Sequence, residues 1–360
     1  MICDSVLDTI GDTPVVRLRR MSVGNGAEIL IKLESFNPGG SIKDRAVLSM
    51  ITHAELDGRL QPGGTIIEST SGNVGKALAL IGVARGYRVV LVVDPKAPPS
   101  MLRYASALGA ELDLVDTPDE HGWYQGPRIE RVQQLLAETP RSFWPDQYNN
   151  LDNPRAHAEQ TARELLSEIP RFDALVTAVG TGGHISGISR TVKRALPEVV
   201  TVGVDAECSA TFGYPFSQWA TPGPSRIRGL GLQWQPRCLD LDVVDRVHLV
   251  ADHEGIATTR LLASSEGLLV GESAGAAVFG ALHHAHHHPG SRIVVLAPDD
   301  GVNYLEETFD DDWLRSKGLL ERIEEAGLRT VDRLVALARQ PSTAAVARTP
   351  ELTGDLAGSR

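Results

Sequence analysis

Four short polar segments carry the residues of this 360-residue chain that could do chemistry. In the first, at 35–45, an Asn-Pro-Gly-Gly turn is followed by Ser41 and Lys43. The turn predicts a helix capped by Ser41, with Lys43 in its first turn, where the positive end of the helix dipole disfavours an ammonium. A lysine with a lowered pKa is a good Schiff-base nucleophile. Because a capped helix with a surface lysine has the same pattern, this segment alone does not decide between the two interpretations.

The second polar segment consists of Thr70, Ser71, Gly72 and Asn73, directly after a strand-like run and before helical composition. Amides and hydroxyls at the start of a helix form a site for an anion, most naturally a carboxylate. The Asn73 amide can donate a hydrogen bond into the same space. A polar turn without a ligand is the alternative.

The third segment, formed by Gly180, Thr181, Gly182, Gly183 and His184, also lies between a strand-like run and a helical one. Three glycines and a hydroxyl at a helix start suit a bound phosphate. A nicotinamide dinucleotide site is the alternative, but it needs Gly-x-Gly-x-x-Gly and an acidic residue about 20 positions later. The spacing of these glycines does not match that pattern.

The fourth segment, Gly271 to Gly275, places Ser273 in a run of small residues that also fits a plain helix start. Its Gly-x-Ser-x-Gly pattern resembles a hydrolase nucleophile elbow. We disfavour a hydrolase because the elbow serine should follow a strand and precede its acid and histidine partners. The histidines downstream have no acidic residue or cysteine at ligand spacing, so we expect a solvated helix end and no metal site there. These histidines are His283, His284, His286, His287 and His288.

The elements that must position these segments follow a repeated strand-turn-helix pattern. Apolar strand-like runs occur at 65–67, 88–93, 174–179 and 292–296, and each leads into a turn with Gly or Pro. Such repetition predicts an α/β fold with parallel sheets covered by helices on both faces. Ligands of these folds bind at the loops after the strand ends.

Composition narrows the classes of partner. The formal net charge of −11 argues against nucleic acid, which needs clustered Lys and Arg, but not against small anionic substrates. No apolar run reaches the length of a membrane helix, and the first residues do not resemble a signal peptide. Cys3, Cys208 and Cys238 are widely spaced and odd in number, so we expect no disulfide framework and a cytoplasmic location.

Taken together, the four segments resemble a known family. Ser-Ile-Lys-Asp-Arg at 41–45, Thr-Ser-Gly-Asn at 70–73, Gly-Thr-Gly-Gly at 180–183 and Gly-x-Ser-x-Gly at 271–275 are similar in order and spacing to the fold-type-II pyridoxal-phosphate enzymes. Those enzymes include cysteine synthase and cystathionine β-synthase, and the resemblance covers 5–314. It implies β-replacement on an activated L-serine and a tryptophan-synthase-β-like α/β fold with two open, twisted, mainly parallel sheets flanked by helices.

The stretch at 116–150, rich in Pro, Gly, Asp and aromatic residues, predicts a domain crossing near its end. We expect an N-terminal α/β domain at 37–150, with the substrate loop. A C-terminal domain that binds the cofactor phosphate would comprise 10–36 plus 151–316, and 317–360 would be a helical extension with a flexible tail. We expect a homodimer.

The family's functional residues transfer onto the matching positions of this sequence. The resemblance implies that Lys43 is the Schiff-base and acid–base lysine and that Ser273 bonds the pyridine nitrogen of pyridoxal 5'-phosphate. Asn73 would bond the phenolic oxygen. The substrate carboxylate would be bound by Thr70, Ser71, Gly72, Asn73 and Gln147. The cofactor phosphate would be bound by Gly180, Thr181, Gly182, Gly183 and His184. Two departures from the family pattern are Val74 and His184, which replace residues that commonly carry a hydroxyl.

Further runs resemble the synthases that join O-phosphoserine and glutamate, and they lie at 93–96, 118–124, 128–129, 146–148, 204–206 and 298–314. Their product, N-(2-amino-2-carboxyethyl)-glutamate, is a precursor of 2,3-diaminopropionate in siderophore and peptide-antibiotic pathways. Both substrates are anionic, so cations must face them. The candidates are Arg128, Arg226 and Arg228, with Tyr148 as a further contact.

The sequence leaves two other functions open. The Gly-Thr-Gly-Gly loop is nearer to the loop of ordinary cysteine synthases, so cysteine synthase is the main alternative to the glutamate reaction. A non-catalytic scaffold that keeps the cofactor is the other, and retention of Lys43, Asn73 and Ser273 together argues against it.

Overall fold

The computed structural model describes residues 2–120, 122–213, 225–340 and 346–347. Strands in these parts of the chain form two sheets. The strands are β1 (Val15–Arg17), β2 (Glu28–Leu33), β3 (Thr65–Ser69), β4 (Arg88–Val93), β5 (Glu111–Leu114), β6 (Ser142–Phe143), β7 (Ala174–Ala178), β8 (Val200–Ala206), β9 (Arg246–Val250), β10 (Arg292–Ala297) and β11 (Val346–Ala347).

Helices cover both sheets. They are α1 (Lys43–Leu56), α2 (Asn73–Arg85), α3 (Pro99–Ala107), α4 (Gln125–Glu138), α5 (Asp152–Ala156), α6 (Ala162–Glu168), α7 (Gly183–Ala195), α8 (Asp252–Leu261), α9 (Glu272–His287), α10 (Asp311–Ser316), α11 (Leu319–Glu325) and α12 (Val331–Ala338). A π-helical turn, His157–Thr161, joins α5 to α6, and a second, Leu262–Glu266, ends the helical stretch that α8 begins.

The larger sheet has the strand order β1-β2-β10-β7-β8-β9-β11, and the smaller has the order β5-β4-β3-β6. All pairs in the smaller sheet are parallel. The larger sheet is parallel except at its two edges, where β1 and β11 pair antiparallel. The two mainly parallel sheets confirm the fold class expected from the sequence.

Apolar residues on both faces of each sheet explain the helical layers. In β10, Val295 packs with Ile256 and Val278 of α8 and α9, while Val294 packs on the other face with Val192 of α7. The smaller sheet has the same arrangement, with α1 and α2 on one face and α4 on the other. Burying one such aliphatic side chain stabilises the fold by roughly 1.5–3 kcal/mol, so strands that are apolar on both faces require two layers of helices.

The C-terminal extension corrects one expectation. Helices α11 and α12 pack onto the core of the larger sheet, so the end of α9 is covered rather than solvated. The His283 Nδ1 lies 2.9 Å from the Ala338 carbonyl oxygen, and the His286 Nε2 lies 2.7 Å from that of Val335. Ring nitrogens therefore donate to the last carbonyls of α12, and among the five histidines only His287 is exposed. Most of the expected tail, 341–345 and 348–360, lies outside the described residues.

No helix among the described residues is long and apolar enough to cross a membrane. In the same part of the chain, no group of three or more His, Cys, Asp or Glu side chains is arranged to hold a metal ion. The three cysteines are free thiols.

Candidate active site

A cavity of about 1040 Å³ opens where the loops after β3, β7 and β10 meet the starts of α1, α2 and α9. Strand ends of parallel sheets are where ligands of α/β proteins bind. The structure brings most of the predicted site residues into its wall. They are Lys43, Thr70, Ser71, Gly72, Asn73, Arg128, Gln147, Tyr148, Gly180, His184, Arg228 and Ser273.

Lys43 is the first residue of α1, and its amide donates to the Ser41 Oγ at 3.2 Å. Burial lowers the pKa of the Lys43 ammonium, while the charge of Asp299 and the Cys238 thiol oppose that shift. From the sequence we expected the helix dipole to lower the pKa of Lys43. In the structure, the main cause of the lowered pKa is loss of solvation. A lysine in this state has a larger fraction of free amine, which is the form that attacks a carbonyl.

The segment at the start of α2 presents short polar groups to the cavity. Gly72 precedes the helix in an extended conformation, and its amide donates to the Thr70 Oγ1 at 3.3 Å. Asn73 is the first helical residue, and its Nδ2 donates to the Asp299 Oδ2 at 2.7 Å. Gln147 is buried in the same cavity wall. This arrangement of amides and hydroxyls at a helix start can bind a carboxylate.

The glycine loop before α7 is built against its neighbours without spare room. A Cβ on Gly182 would lie 2.5 Å from the Leu239 Cβ, and one on Gly183 would lie 2.1 Å from the Asn153 Oδ1. Gly182 also has a φ of +78°, which disfavours any other residue. Gly180 lines the cavity, whereas Thr181, Gly182 and Gly183 are not among the residues that line it.

His184 has a local partner that the sequence did not indicate. Its Nε2 lies 2.7 Å from the Ala178 carbonyl oxygen and 2.8 Å from the Thr177 Oγ1. Burial, with the nearby Lys43 charge, lowers the pKa of His184 to about 3. The ring is therefore neutral and its Nε2 is directed back to the end of β7.

Ser273 is the second residue of α9 and lines the cavity. Glu272 beside it is buried and accepts hydrogen bonds from the Arg228 amide, at 2.8 Å, and from the Thr308 hydroxyl. Burial raises the pKa of Glu272 to about 7. These bonds hold the start of α9 in place, so the Ser273 hydroxyl is presented on a fixed helix end.

Arg128 lies within the first turn of α4. Its Nη1 is 3.1 Å from the Asp94 Oδ2, with 13% of the arginine side chain exposed. The ion pair is not aligned as a hydrogen bond, and both Nε and Nη1 are buried with no hydrogen-bond partner among the described residues. Buried donors without partners are costly, so this guanidinium is suited to an anionic ligand.

The other cationic candidates differ from Arg128. Arg228 lines the cavity, but its guanidinium is paired with the Glu307 carboxylate. Arg226 is exposed and is not part of the cavity wall that the described residues form. Tyr148 lines the cavity and packs edge-on against Trp234, with ring centroids 5.4 Å apart. Of the three arginines that the sequence offers as candidates, Arg128 is thus the one that lines the cavity with donors free of a described hydrogen-bond partner.

Several charged residues in the cavity wall escaped the sequence analysis. Glu68 is buried, with its Oε1 accepting from the Trp144 Nε1 at 2.8 Å, and burial raises its pKa to about 7. Lys76 is also buried, and burial lowers its pKa. Asp299 follows β10 and bonds Asn73. Each of these residues stands beside an apolar run or a predicted strand end, and that position was the sequence signal by which it could have been identified.

The donor set fits pyridoxal phosphate. An aldehyde needs a lysine with a lowered pKa, which Lys43 provides. The ring nitrogen needs a short polar side chain, such as Ser273, and the phosphate needs amides at a helix start. The glycine loop before α7 offers such amides and has no room for side chains.

Comparisons with known proteins agree with this geometry. A family model described as pyridoxal-phosphate dependent enzyme matches residues 6–299. N-(2-amino-2-carboxyethyl)-L-glutamate synthase of Ralstonia nicotianae is 40% identical over 316 residues, covering 87% of this chain and 92% of that protein. Cystathionine beta-synthase of Oryctolagus cuniculus is 39% identical over 333 residues, covering 90% of this chain but 59% of that protein.

A solved structure of O-ureido-L-serine synthase superimposes with a TM-score of 0.78 and 37% identity, covering 88% of this chain and 100% of that one. This similarity extends over the two-sheet fold and not only over the motifs. The sequence identity and coverage of these relatives are high enough to show family membership as well as fold. The chain therefore belongs to the pyridoxal-phosphate dependent enzymes of fold type II, and it is a β-replacement enzyme of the cysteine synthase family.

Proposed function

We propose that the enzyme joins O-phospho-L-serine and L-glutamate into N-(2-amino-2-carboxyethyl)-L-glutamate for 2,3-diaminopropionate synthesis. The observation that carries the proposal is Arg128, a cavity-wall guanidinium with two buried donors that no described residue accepts. A guanidinium binds phosphate through paired, charge-assisted hydrogen bonds, and acetate offers it no comparable dianion. The similarity to a synthase of that name supports the same substrates.

Pyridoxal phosphate, when bound, withdraws electrons from the substrate and makes its Cα proton acidic. Lys43 would hold the cofactor until the substrate amine displaces it, which frees the Lys43 Nζ to take the Cα proton as the Cα–H bond breaks. The Cβ–O bond then breaks, and phosphate leaves with the electron pair. The glutamate nitrogen, as the free amine, forms the new bond to Cβ and passes a proton to the released phosphate, and Lys43 returns the first proton to Cα before it displaces the product amine.

The remaining residues orient this reaction. The start of α2, with Thr70, Ser71 and Asn73, holds the substrate carboxylate beside Lys43, and Gln147 adds a contact. Ser273 bonds the pyridine nitrogen through a neutral hydroxyl, which does not hold that nitrogen protonated as a carboxylate would. Carbanion charge is then drawn less strongly into the ring, and loss of the β-substituent is favoured.

Arg128 has a second consequence for the leaving group. Phosphate would replace Asp94 as the partner of the guanidinium, because a dianion in direct hydrogen-bond geometry is a better partner than an unaligned ion pair. The contact strengthens as charge develops on the departing oxygen. Arg128 therefore assists departure of the leaving group as well as binding.

The cysteine synthase alternative rests on the Gly-Thr-Gly-Gly loop, which resembles the loop of ordinary cysteine synthases. If sulfide were the nucleophile, the enzyme would need no cation besides Arg128 to bind its substrates. Lys96 lies in the outer part of the cavity wall, over the Tyr124 ring at 5.0 Å, and offers a cation for a glutamate carboxylate. This favours the amino-acid nucleophile.

A cytoplasmic location and a homodimer are further proposals. The free thiols are consistent with a reducing compartment. Sedimentation of the purified protein at several concentrations measures the assembly directly. A mass of one chain at all concentrations would contradict the homodimer.

The substrate proposal is tested by pairing each donor with each nucleophile. Purified enzyme is given O-phosphoserine or O-acetylserine together with glutamate or sulfide, and products are identified by mass spectrometry. We expect the glutamate adduct and inorganic phosphate from the first donor to form fastest. Faster cysteine formation from sulfide would favour cysteine synthase. A yellow protein that turns over no pair would favour the scaffold.

A further inference from the structure

The turn after β10 fixes the loop that leads to Lys43. The Ile42 amide donates to the Pro298 carbonyl oxygen at 2.8 Å, and the Asp300 amide donates to the Gly40 carbonyl oxygen at 3.3 Å. These main-chain bonds join the end of a strand of the larger sheet to the loop that precedes α1. The position of Lys43 therefore depends on this turn.

The same turn fixes the start of α9. The Gly271 amide donates to the Asp299 carbonyl oxygen at 3.1 Å. The Asp299 Oδ1 is packed so closely that a Cβ on Gly271 would lie 1.9 Å from it. Glycine at 271 thus makes room for the Asp299 carboxylate two residues before Ser273.

The Asp299 side chain completes the connection by bonding Asn73. Its Oδ2 accepts from the Asn73 Nδ2 at 2.7 Å and from the Tyr304 hydroxyl at 2.6 Å. Only 2% of Asp299 is exposed. Tyr304 is buried as well, so water has little access to the carboxylate. One buried carboxylate thus receives two hydrogen bonds on a single oxygen.

The chemistry of these groups fixes the orientation of the Asn73 amide. An ionised carboxylate can only accept hydrogen bonds, so the nitrogen of the amide, and not its oxygen, must face Asp299. Burial raises the pKa of Asp299, but the bonds from Tyr304 and Asn73 and the charge of Lys76 favour its anion. The second N–H of the same nitrogen is then left as a donor to the cavity.

We propose that Asp299 is a positioning residue that orients the Asn73 amide to donate to the phenolic oxygen of pyridoxal phosphate. The inference rests on the proposed role of Asn73 as that donor. Without the carboxylate, the amide can rotate and present its oxygen, which repels a phenolic oxygen that carries negative charge. Asp299 thereby acts on the cofactor without touching the reacting atoms.

The test uses the cofactor's own signal. Asp299→Ala and Asn73→Ala are prepared as holoenzymes, and the visible absorption of the bound cofactor is recorded against pH, with its dissociation constant. We expect both variants to shift the absorption in the same direction and to weaken cofactor binding about tenfold, the loss of one good hydrogen bond. Asp299→Asn, which keeps an acceptor oxygen, should retain most of the wild-type signal. Val302→Ala is the matched control from the same turn, because Val302 is 57% exposed, and it should match wild type.

The double variant separates positioning from general support. If Asp299 acts through Asn73, adding Asp299→Ala to Asn73→Ala should weaken cofactor binding no further. Additive losses, or a wild-type spectrum in Asp299→Ala, would overturn the inference. A wild-type spectrum in Asn73→Ala would instead overturn the proposed role of Asn73. If Asp299→Ala does not fold, Tyr304→Phe carries the test, since it removes one bond to the carboxylate: a partial shift supports the inference and no shift overturns it.

Discussion

Two groups of residues in the cavity wall differ in the kind of side chain that they present. The first group, here called the inner half, presents Lys43 together with main-chain amides and short polar side chains at or beside the starts of helices, and its other members are Asn73, Gly180 and Ser273. The outer half presents long cationic and aromatic side chains, and its members are Lys96, Arg128, Tyr148 and Trp234. In the inner half, position is set by turns and helix ends. In the outer half, position is set by side-chain partners that can change when a ligand binds.

This difference separates chemistry from specificity. A group carried on a helix start cannot move without moving the helix, so the inner half can hold one cofactor in one orientation. Arg128 is held by an ion pair with Asp94 that a ligand can replace. We infer that related enzymes keep the inner half and differ in the outer half when they use another leaving group or nucleophile.

Loss of Lys43, the proposed Schiff-base lysine, should have the largest effect. Lys43→Ala should abolish both turnover and the absorbance of the lysine-bound cofactor, because Lys76, the other buried lysine described in the cavity wall, donates to the Asn303 Oδ1 at 3.3 Å and lies over the Tyr104 ring. Lys96→Ala, which removes an exposed lysine of the outer half, is the control and should keep the absorbance. A borohydride-reducible cofactor adduct in Lys43→Ala would show that another lysine forms the Schiff base.

A methyl group added in the glycine loop beside the inner half should have the next largest effect, and one added in the outer half should have none. Gly183→Ala places a Cβ 2.1 Å from the Asn153 Oδ1, so the glycine loop must shift. We expect cofactor affinity to fall roughly ten- to hundredfold, in line with the ~1–3 kcal/mol cost of overpacking. Gly126→Ala in the outer half meets no described atom within 4 Å and should leave cofactor affinity unchanged. Cofactor affinity is measured by fluorescence titration of the two apoenzymes. An equal loss of affinity in both variants would show that the two halves do not differ in how they hold the cofactor.

Charge at the pyridine nitrogen should have a smaller effect. Ser273→Asp should keep cofactor binding but slow β-replacement about tenfold, which corresponds to ~1.4 kcal/mol of transition-state stabilisation. A carboxylate would hold the ring nitrogen protonated and favour side reactions. Ser273→Ala removes the hydroxyl without adding charge. It therefore separates the effect of losing the hydroxyl from the effect of adding a carboxylate. Unchanged steady-state kinetics in Ser273→Asp would show that this side chain does not contact the ring.

The inner half was largely predictable from the sequence. Strand-like runs followed by glycine turns locate helix starts, and a helix start largely determines where its first residues point. Thus Lys43 and Asn73 begin helices beside the cavity, as the sequence indicates. The fold class and the family follow from the same pattern, whereas the domain boundaries at 37–150 and 151–316 stay a prediction.

The outer half and the long-range contacts were not predictable in the same way. The bond between Asn73 and Asp299 joins positions 226 residues apart, which no local pattern encodes. Arg128 lies in the helix Gln125–Glu138, and no local pattern indicates that its ion-pair partner is Asp94. The histidines of α9 were expected in solvent because nothing local shows that α12 packs over them.

The most direct test of the central claim is a competition between donors. Wild-type enzyme and Arg128→Ala are each given equal concentrations of O-phosphoserine and O-acetylserine with glutamate, and the two leaving groups are quantified. Arg131→Ala, from the same helix but paired with Asp113 outside the cavity, is the control. We predict that wild type and the control prefer O-phosphoserine and that Arg128→Ala loses this preference by about tenfold or more, as expected for a charged hydrogen bond of ~1.5–3 kcal/mol. An unchanged donor ratio in Arg128→Ala would contradict the account, because the outer half would then not recognise the phosphate.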